Sequence, residues 1–454
     1  MLNMLTPQDA RPMPGLLFVC ALFTAQPKDM DHLMYHVVTR RTLLSSLCLA
    51  ASSSICLQLS GCAQLDSNLT PSQYLDQNST NIELDQAIPW HAFTNVDETK
   101  VFLAGEYHGL VASVEARKAM INCLASNTDV RGILFEYGFG AGILIDQYLQ
   151  TGDEDLLEMF MNQASGTFMG RVEERDFLQW LRAYNADLPS DKRLRAFGVD
   201  VDHQTYLALY ALNQLVEQHG AVPDAIAGAI SSISTELKGH TSTESPKDLL
   251  NSAAFSNLRS ALDEQPQACS KFFGDDLSTV EMLCTSHERA VEYHAMSNSG
   301  QLETGLRDQW MAKAFAFVRE ANPTMNFFGQ LGYAHTMQSP TKTQANTQVG
   351  DLDSCMPFAT LLNEDSSLSG KICTIQYAYA SGDQLADYTS DLDLSDFEPW
   401  CGQDTFFNLD STGSPFMGEH CIVLDQASST SSTTDYFQKL LLLSNVQETT
   451  PISS

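Results

Sequence analysis

The stretch Lys100-Val101-Phe102-Leu103-Ala104-Gly105-Glu106-Tyr107-His108-Gly109 joins an apolar run to a glycine-flanked acid and imidazole. Lys100 to Ala104 has the composition of a buried strand, and glycine then permits a sharp turn. From Val111 to Ala125 the pattern is helical. Strand, glycine turn and helix in that order is the unit of an open α/β sheet, whose ligands sit beyond the carboxyl ends of its strands. A carboxylate beside an imidazole at such a place fixes the ring's tautomer and lets it take a proton from water near neutral pH. A helix cap at Glu106 and a turn-filling His108 account for the pentapeptide equally well, so the rest of the chain must decide.

Three more apolar runs stand out: Gly132–Glu136, Leu194–Val199 and Met325–Gly329. Each is followed by glycine or a polar turn, and the helical patterns Ile143–Leu149, Val172–Asn185 and Tyr206–Glu217 lie between them. Strands alternating with helices predict a mostly parallel central sheet flanked by helices, an α/β fold. Residues 206–322 lack strand signals and read as a large helical insertion. Ile372–Tyr379 and His420–Leu424 are further strand candidates. We place one domain at 97–425 and a polar tether at 62–96. A Ser/Thr-rich loop with a C-terminal segment fills 426–454.

The N-terminus reads as an export signal rather than as fold. Arg40 and Arg41 stand in a near twin-arginine pattern, an apolar run follows from Leu43 to Leu59, and Leu59-Ser60-Gly61-Cys62 has the form of a lipobox. The run is short and rich in Ser and Cys, which favours a signal peptide over a spanning helix. The expectation is cleavage after residue 61, lipidation of Cys62 and an anchored protein of the bacterial cell envelope, on the outer face of the membrane or in the periplasm. Met34 is a plausible true start, which would make residues 1–33 an over-extension. Several acyl chains on one cysteine hold a protein to a bilayer stably.

Residues 1–61 carry four of the 25 basic and three of the 56 acidic residues, so the remainder carries 21 and 53, a net charge of −32. Such a chain repels nucleic acid, and no nucleic-acid partner is expected. Six of the cysteines beyond Cys62 fall in close sequence pairs, Cys269 with Cys284, Cys355 with Cys373, and Cys401 with Cys421. In an oxidising compartment these predict local disulfides. Cys123, on an apolar helix face, predicts a buried thiol. No cysteine or histidine cluster has zinc spacing.

Glu136 ends the second strand, in Phe135-Glu136-Tyr137-Gly138. If that strand lies beside the first, Glu136 faces His108 across one rim. Farther on come the helix ending Trp180-Leu181-Arg182-Ala183-Tyr184-Asn185, the strand Phe197-Gly198-Val199-Asp200-Val201-Asp202, the helix start Leu306-Arg307-Asp308-Gln309-Trp310-Met311-Ala312, and Gly332-Tyr333-Ala334-His335 after the last strand. These blocks, in this order over about residues 98–340, resemble the erythromycin esterase-like superfamily, which takes in haem-uptake lipoproteins of the ChaN type. The resemblance implies that His108 is the base that activates water, that Glu106 orients it, and that Glu136 completes the acid–base set. It implies that Arg117 and Arg307 bind the substrate carbonyl or the developing oxyanion, and that His335 sits across the cleft. Tyr107 and Asp200 are expected to line the pocket, and Asp202 to cap a helix. Two departures stand out. Only Tyr107 separates Glu106 from His108, where the esterases have two residues, and Gly332 stands where they offer a further histidine.

Two functions stand ahead of a third, a degenerate homologue that presents an acidic surface to a partner. One is a hydrolase that cleaves an ester, lactone or amide with activated water and needs no cofactor. The other is a haem- or metal-binding lipoprotein without catalysis. Arginines near the cleft suit an oxyanion, though haem propionates would suit them too. A serine-hydrolase reading fails for want of a G-x-S-x-G elbow beyond the signal, and Gly138, Gly140 and Gly142 lack the spacing of a dinucleotide or phosphate loop. These glycines are expected to let backbone approach the pocket. Tyr107, Tyr137, Phe139, Trp310 and Tyr333 suggest a small-molecule substrate that is bulky and apolar. The sequence does not set the oligomeric state.

Overall fold

A computed structural model of the chain describes residues 69–244, 250–298, 304–342, 356–388 and 391–452. Its strands are β1 (Ser79–Asn81), β2 (Val101–Glu106), β3 (Val130–Gly138), β4 (Arg195–Asp200), β5 (Asn326–Gly332), β6 (Ile372–Ser381), β7 (Gln384–Leu385), β8 (Thr405–Asn408) and β9 (Lys439–Leu443). They form one sheet in the order β1-β8-β9-β6-β2-β5-β3-β4, with β7 paired to β6. From β9 to β4 every pairing is parallel, while β1, β7 and β8 pair antiparallel. The fold is therefore α/β, with a mixed, mostly parallel sheet.

Alternation along β2 shows how the sheet is buried on both faces. Phe102 and Ala104 join one core cluster with Ile133, Phe135 and Phe328, while Val101 and Leu103 join another with Leu134, Val199 and Phe327. Successive side chains of a strand point to opposite faces, so a strand apolar at every position must be covered twice. The first face packs against the helices Val111–Asn127, Glu154–Ala164 and Val172–Asp187. The second packs against Ala253–Glu264, Leu277–Asn298, Thr304–Ala321 and Phe358–Glu364. The edge strand β4 is closed by the helix Phe139–Thr151. A Cβ at Gly142 would stand 2.0 Å from the backbone nitrogen of Gly198, so only glycine permits this approach. Gly140 and Gly142 thus serve helix packing rather than an approach of backbone to the pocket.

Several expectations need correction. β2 and β3 are not neighbours, because β5 lies between them. Residues 69–96 are not a tether: Tyr74 and Leu75 are fully buried, and β1 pairs with β8. The sheet extends past residue 425, since β9 sits between β6 and β8. His420–Leu424 makes only an isolated bridge, Leu392 to Val423, and no strand. Cys269, Cys284, Cys401 and Cys421 are free thiols, so the pairs Cys269–Cys284 and Cys401–Cys421 are not formed, while the pair of Cys373 with Cys355 involves a residue outside the described ones. Burial explains this. Cys269, Cys284, Cys373 and Cys401 are buried and pack as small apolar groups, and burial pushes the thiols of Cys284 and Cys373 up to about 12. Cys123 is buried, as its helix face predicts. Cys62, Cys355 and the export signal lie outside the described residues. Among the described residues, no helix is long and apolar enough to cross a membrane.

Candidate active site

The parallel strands place their carboxyl ends on one rim, and the polar residues that end them converge there. Gly109 has φ +81°, the left-handed conformation that favours glycine, and so turns the chain from β2 into the helix Val111–Asn127. This turn brings His108 back over the strand end. His108 Nδ1 lies 2.9 Å from Glu106 Oε1, and His108 Nε2 lies 3.5 Å from Glu136 Oε1. The contact with Glu136 crosses β5, whose last residue is Gly332. A Cβ there would come within 2.9 Å of His108 Nε2 and 3.4 Å of Glu136 Oε2. The bare glycine leaves the space in which ring and carboxylate meet.

Glu106 and Glu136 are each anchored. The Gln330 side-chain amide is fixed from both sides: its Nε2 donates to Glu106 Oε2 and to Ser113 O (3.1 Å), and its Oε1 accepts from the Tyr377 hydroxyl (3.0 Å). Glu136 Oε2 accepts from the Gly332 backbone N–H at 2.6 Å. Glu136 Oε1 accepts from Arg307 at 2.5 Å. Arg307 also grips Asp200 with two nitrogens, Nε at 2.9 Å and the terminal nitrogen at 2.5 Å. Asp200 further accepts from Val201 N–H, and His203 Nε2 lies 3.3 Å from its Oδ2. The neighbouring residue Asp308 holds His335 Nδ1 at 2.7 Å, and His335 Nε2 stands 3.7 Å from Glu136 Oε1. One helix thus supplies both an arginine and an acid to the rim.

Charge in this network is set by competition between burial and partners. Burial opposes the charged form of His108, but Glu136 and Glu106 outweigh it and raise the ring to about 10. Burial likewise opposes ionisation of Glu136, and His108 and Arg307 reverse that, holding it well below the usual carboxylate range. His335 is raised because Asp308 overcomes its burial. The site therefore holds an imidazolium against the Glu136 carboxylate.

The other expected residues fall in three places. Tyr107 is exposed at the rim, its ring 4.9 Å from that of Tyr388. Arg117 is buried and paired with Glu174, which also accepts from the Tyr137 hydroxyl, and its guanidinium lies over the Phe177 ring. Arg117 is thus 6% exposed and held inside the fold by Glu174. Asp202 does not cap the helix that follows it, Thr205–Glu217, which has no side-chain cap; it accepts instead from Gly140 N–H at 2.9 Å, in the first turn of the helix Phe139–Thr151, and burial raises it to about 6. Of the aromatic residues expected to line a pocket, Tyr137, Phe139 and Trp310 are in the core, and the Trp310 indole donates to Asp200 O. Among the described residues, no group of three or more His, Cys, Asp or Glu is arranged to hold a metal ion.

Residues 126–327 match the family model described as Erythromycin esterase. The matched span takes in Glu136, Asp200 and Arg307, while Glu106, His108 and His335 stand outside it. Three solved structures share the fold. An erythromycin esterase mutant in its open conformation is 16% identical, covers 78% of this chain and 92% of its own, and superposes with a TM-score of 0.54. A Bacillus cereus protein is 13% identical over 84% of this chain and 98% of its own, with a TM-score of 0.58. A succinoglycan biosynthesis protein is 11% identical with the same coverages and a TM-score of 0.60. No curated protein matches the chain.

Sequence reasoning missed four parts of the site. Phe168 stacks on His108 with ring centroids 3.9 Å apart and planes 5° apart. Glu174 pairs with Arg117, Gln330 anchors Glu106, and Asp308 anchors His335. Only Asp308 had a visible signal, as the neighbour of Arg307 in its helix-start block.

Proposed function

We propose that the protein is a hydrolase that cleaves an ester, lactone or amide with an activated water. The observation that carries this reading is His108 held by Glu106 and Glu136 at the strand-end rim of an erythromycin esterase-like domain. Glu106 fixes Nδ1 and Phe168 covers one ring face, so the Nε2 edge is left as the place where a water can lose its proton. That nitrogen becomes a base once its proton is released, and its raised affinity for protons puts the alkaline rise of kcat/KM toward pH 10. Glu136 then stabilises the imidazolium that forms. Arg307 is clamped by Asp200 and Glu136, which aims its charge rigidly at the rim. Fixed charge of this kind stabilises an oxyanion without reorganisation. His335 would protonate the leaving group from across Glu136. Arg117 supports the rim through Glu174, and Asp200 acts through Arg307. Tyr107, Tyr388 and Phe168 offer apolar surface to a bulky small-molecule substrate. No cofactor is required by this scheme.

The same reading places the protein at the cell envelope, with Cys62 as the lipidated first residue of the mature chain. The test uses the full chain expressed in a bacterium and its His108→Ala variant, against macrolactones, aryl esters and acyl amides, with and without chelator. Product gaining one water from the wild type alone supports the proposal. Equal turnover by both removes His108 from the chemistry, and no turnover by either returns the question to haem titration. Membrane partition that survives Cys62→Ala would rule out the anchor.

A further inference from the structure

The segment after β9 crosses the rim beside His108. Val111 N–H donates to Gln447 O (2.9 Å), and the N–H and hydroxyl of Thr449 both donate to Gly109 O (2.8 and 3.1 Å). Immediately beyond, Val172 N–H donates to Thr450 O (2.9 Å) and Ile452 N–H donates to Gly170 O (3.3 Å). Thr450 also donates twice to the Glu173 carboxylate, from N–H at 2.7 Å and from its hydroxyl at 2.9 Å. Residues 447–452 thus pair first with the turn that carries His108 and then with the end of the loop that carries Phe168. Thr449 is buried while Gln447, Glu448, Thr450 and Pro451 are exposed, so the segment lies on the surface with one side chain turned inward.

The imidazole is bounded on three sides by groups from three different places. Glu106 comes from β2, Glu136 from β3, and the Phe168 ring from the loop before the helix Val172–Asp187. The first two are set by sheet register. The third is not, because its loop is tied to the rim by the C-terminal segment. An error of about 1 Å at a reacting group can cost on the order of 100-fold in rate. We propose that residues 447–452 are a positioning strap. They hold the His108 turn and the Phe168 loop in one register, and so fix the plane of the imidazole before substrate arrives. This rests on the hydrolase reading only where activity is measured.

The experiment compares the full chain with a chain ending at Asn445, with Thr449→Pro, with Phe168→Leu, and with the conservative Thr449→Ser. Far-UV circular dichroism and thermal melting report folding. The His108 ring is followed by NMR with 15N-labelled histidine, which needs no substrate. The expected result is loss of the Phe168 ring-current shift in the truncated chain and in Thr449→Pro, as in Phe168→Leu. The titration midpoint of His108 should fall by about one unit, because the stacked ring favours the cation. Thr449→Ser should match the wild type. On any substrate that turns over, kcat should fall about tenfold with KM within about twofold. If the truncated chain does not fold, Thr449→Pro decides, since it keeps the whole chain and removes only the donors that Thr449 gives to Gly109 O. Wild-type ring shifts and titration in folded Thr449→Pro would overturn the strap. A confirmed strap with no hydrolysis of any substrate would sink the hydrolase reading alone.

Discussion

His108 at the rim and His287 in the helix Leu277–Asn298 both stack on a phenyl ring, yet the first is charged and the second neutral. His108 stacks on Phe168 at 3.9 Å, and His287 stacks on Phe255 at 4.3 Å with planes 15° apart. Burial lowers the proton affinity of both. For His287 nothing opposes it, and the ring falls to about 4. For His108, Glu136 and Glu106 more than offset burial and carry the ring to about 10. A buried imidazole against a phenyl ring is thus by itself a neutral core residue. Strand-end carboxylates turn the same packing into a charged and chemically poised group.

The largest break in that contrast should come from Glu136→Gln. It removes the stronger of the two raising charges and leaves Arg307 to Asp200, so the fold should persist. The His108 midpoint should drop from about 10 toward 6.5. Hydrolysis should fall by on the order of 10²–10⁴-fold. A proton held more tightly in the folded chain stabilises it fully below pH 6.5, and that contribution is lost as pH rises through 10. Glu136→Gln should therefore be less stable at neutral pH and show a shallower alkaline loss in denaturant titrations. A wild-type alkaline limb in this variant would show that Glu136 does not govern His108.

Gly332→Ala should act next most strongly. Its methyl group would stand 2.9 Å from His108 Nε2, a distance that forces movement. Glu106 and Phe168 hold the ring on its other sides, so the contact with Glu136 is the one that must lengthen. A fall of about tenfold in kcat/KM is expected, with melting nearly unchanged. Unaltered kinetics would mean that the direct approach of His108 to Glu136 is not needed.

How much of this was visible in the sequence follows from how each contact is made. The runs that became β2 to β6 were legible because strands buried on both faces are continuously apolar. Lys439–Leu443 is as apolar as they are, yet it follows a Ser/Thr-rich stretch and was read as part of a tail. Glu106, His108, Glu136 and Arg307 were legible as polar residues at strand ends or helix starts. The pairing of β2 with β5 was not, because strand order is set by long-range packing. Gly332 therefore read as a lost histidine, when its effect is to let His108 and Glu136 meet over an intervening strand. Phe168 and residues 447–452 left no local pattern, since loop contacts have no period.

The smallest predicted effect completes the comparison from the other side. His287→Phe replaces a neutral buried ring by an apolar ring of similar shape. In the wild type the unfolded chain binds a proton near pH 6.5 that the folded chain refuses until about 4. The stability tied to His287 is therefore full above pH 6.5 and lost as pH falls through 4. Removing the imidazole should flatten acid destabilisation between those limits and leave the alkaline limb, which belongs to His108, in place. Urea midpoints measured from pH 4 to pH 10 would separate the two. If His287→Phe kept the full acid loss, some other buried group would have to carry it. The burial of His287 would then be no evidence for a neutral ring.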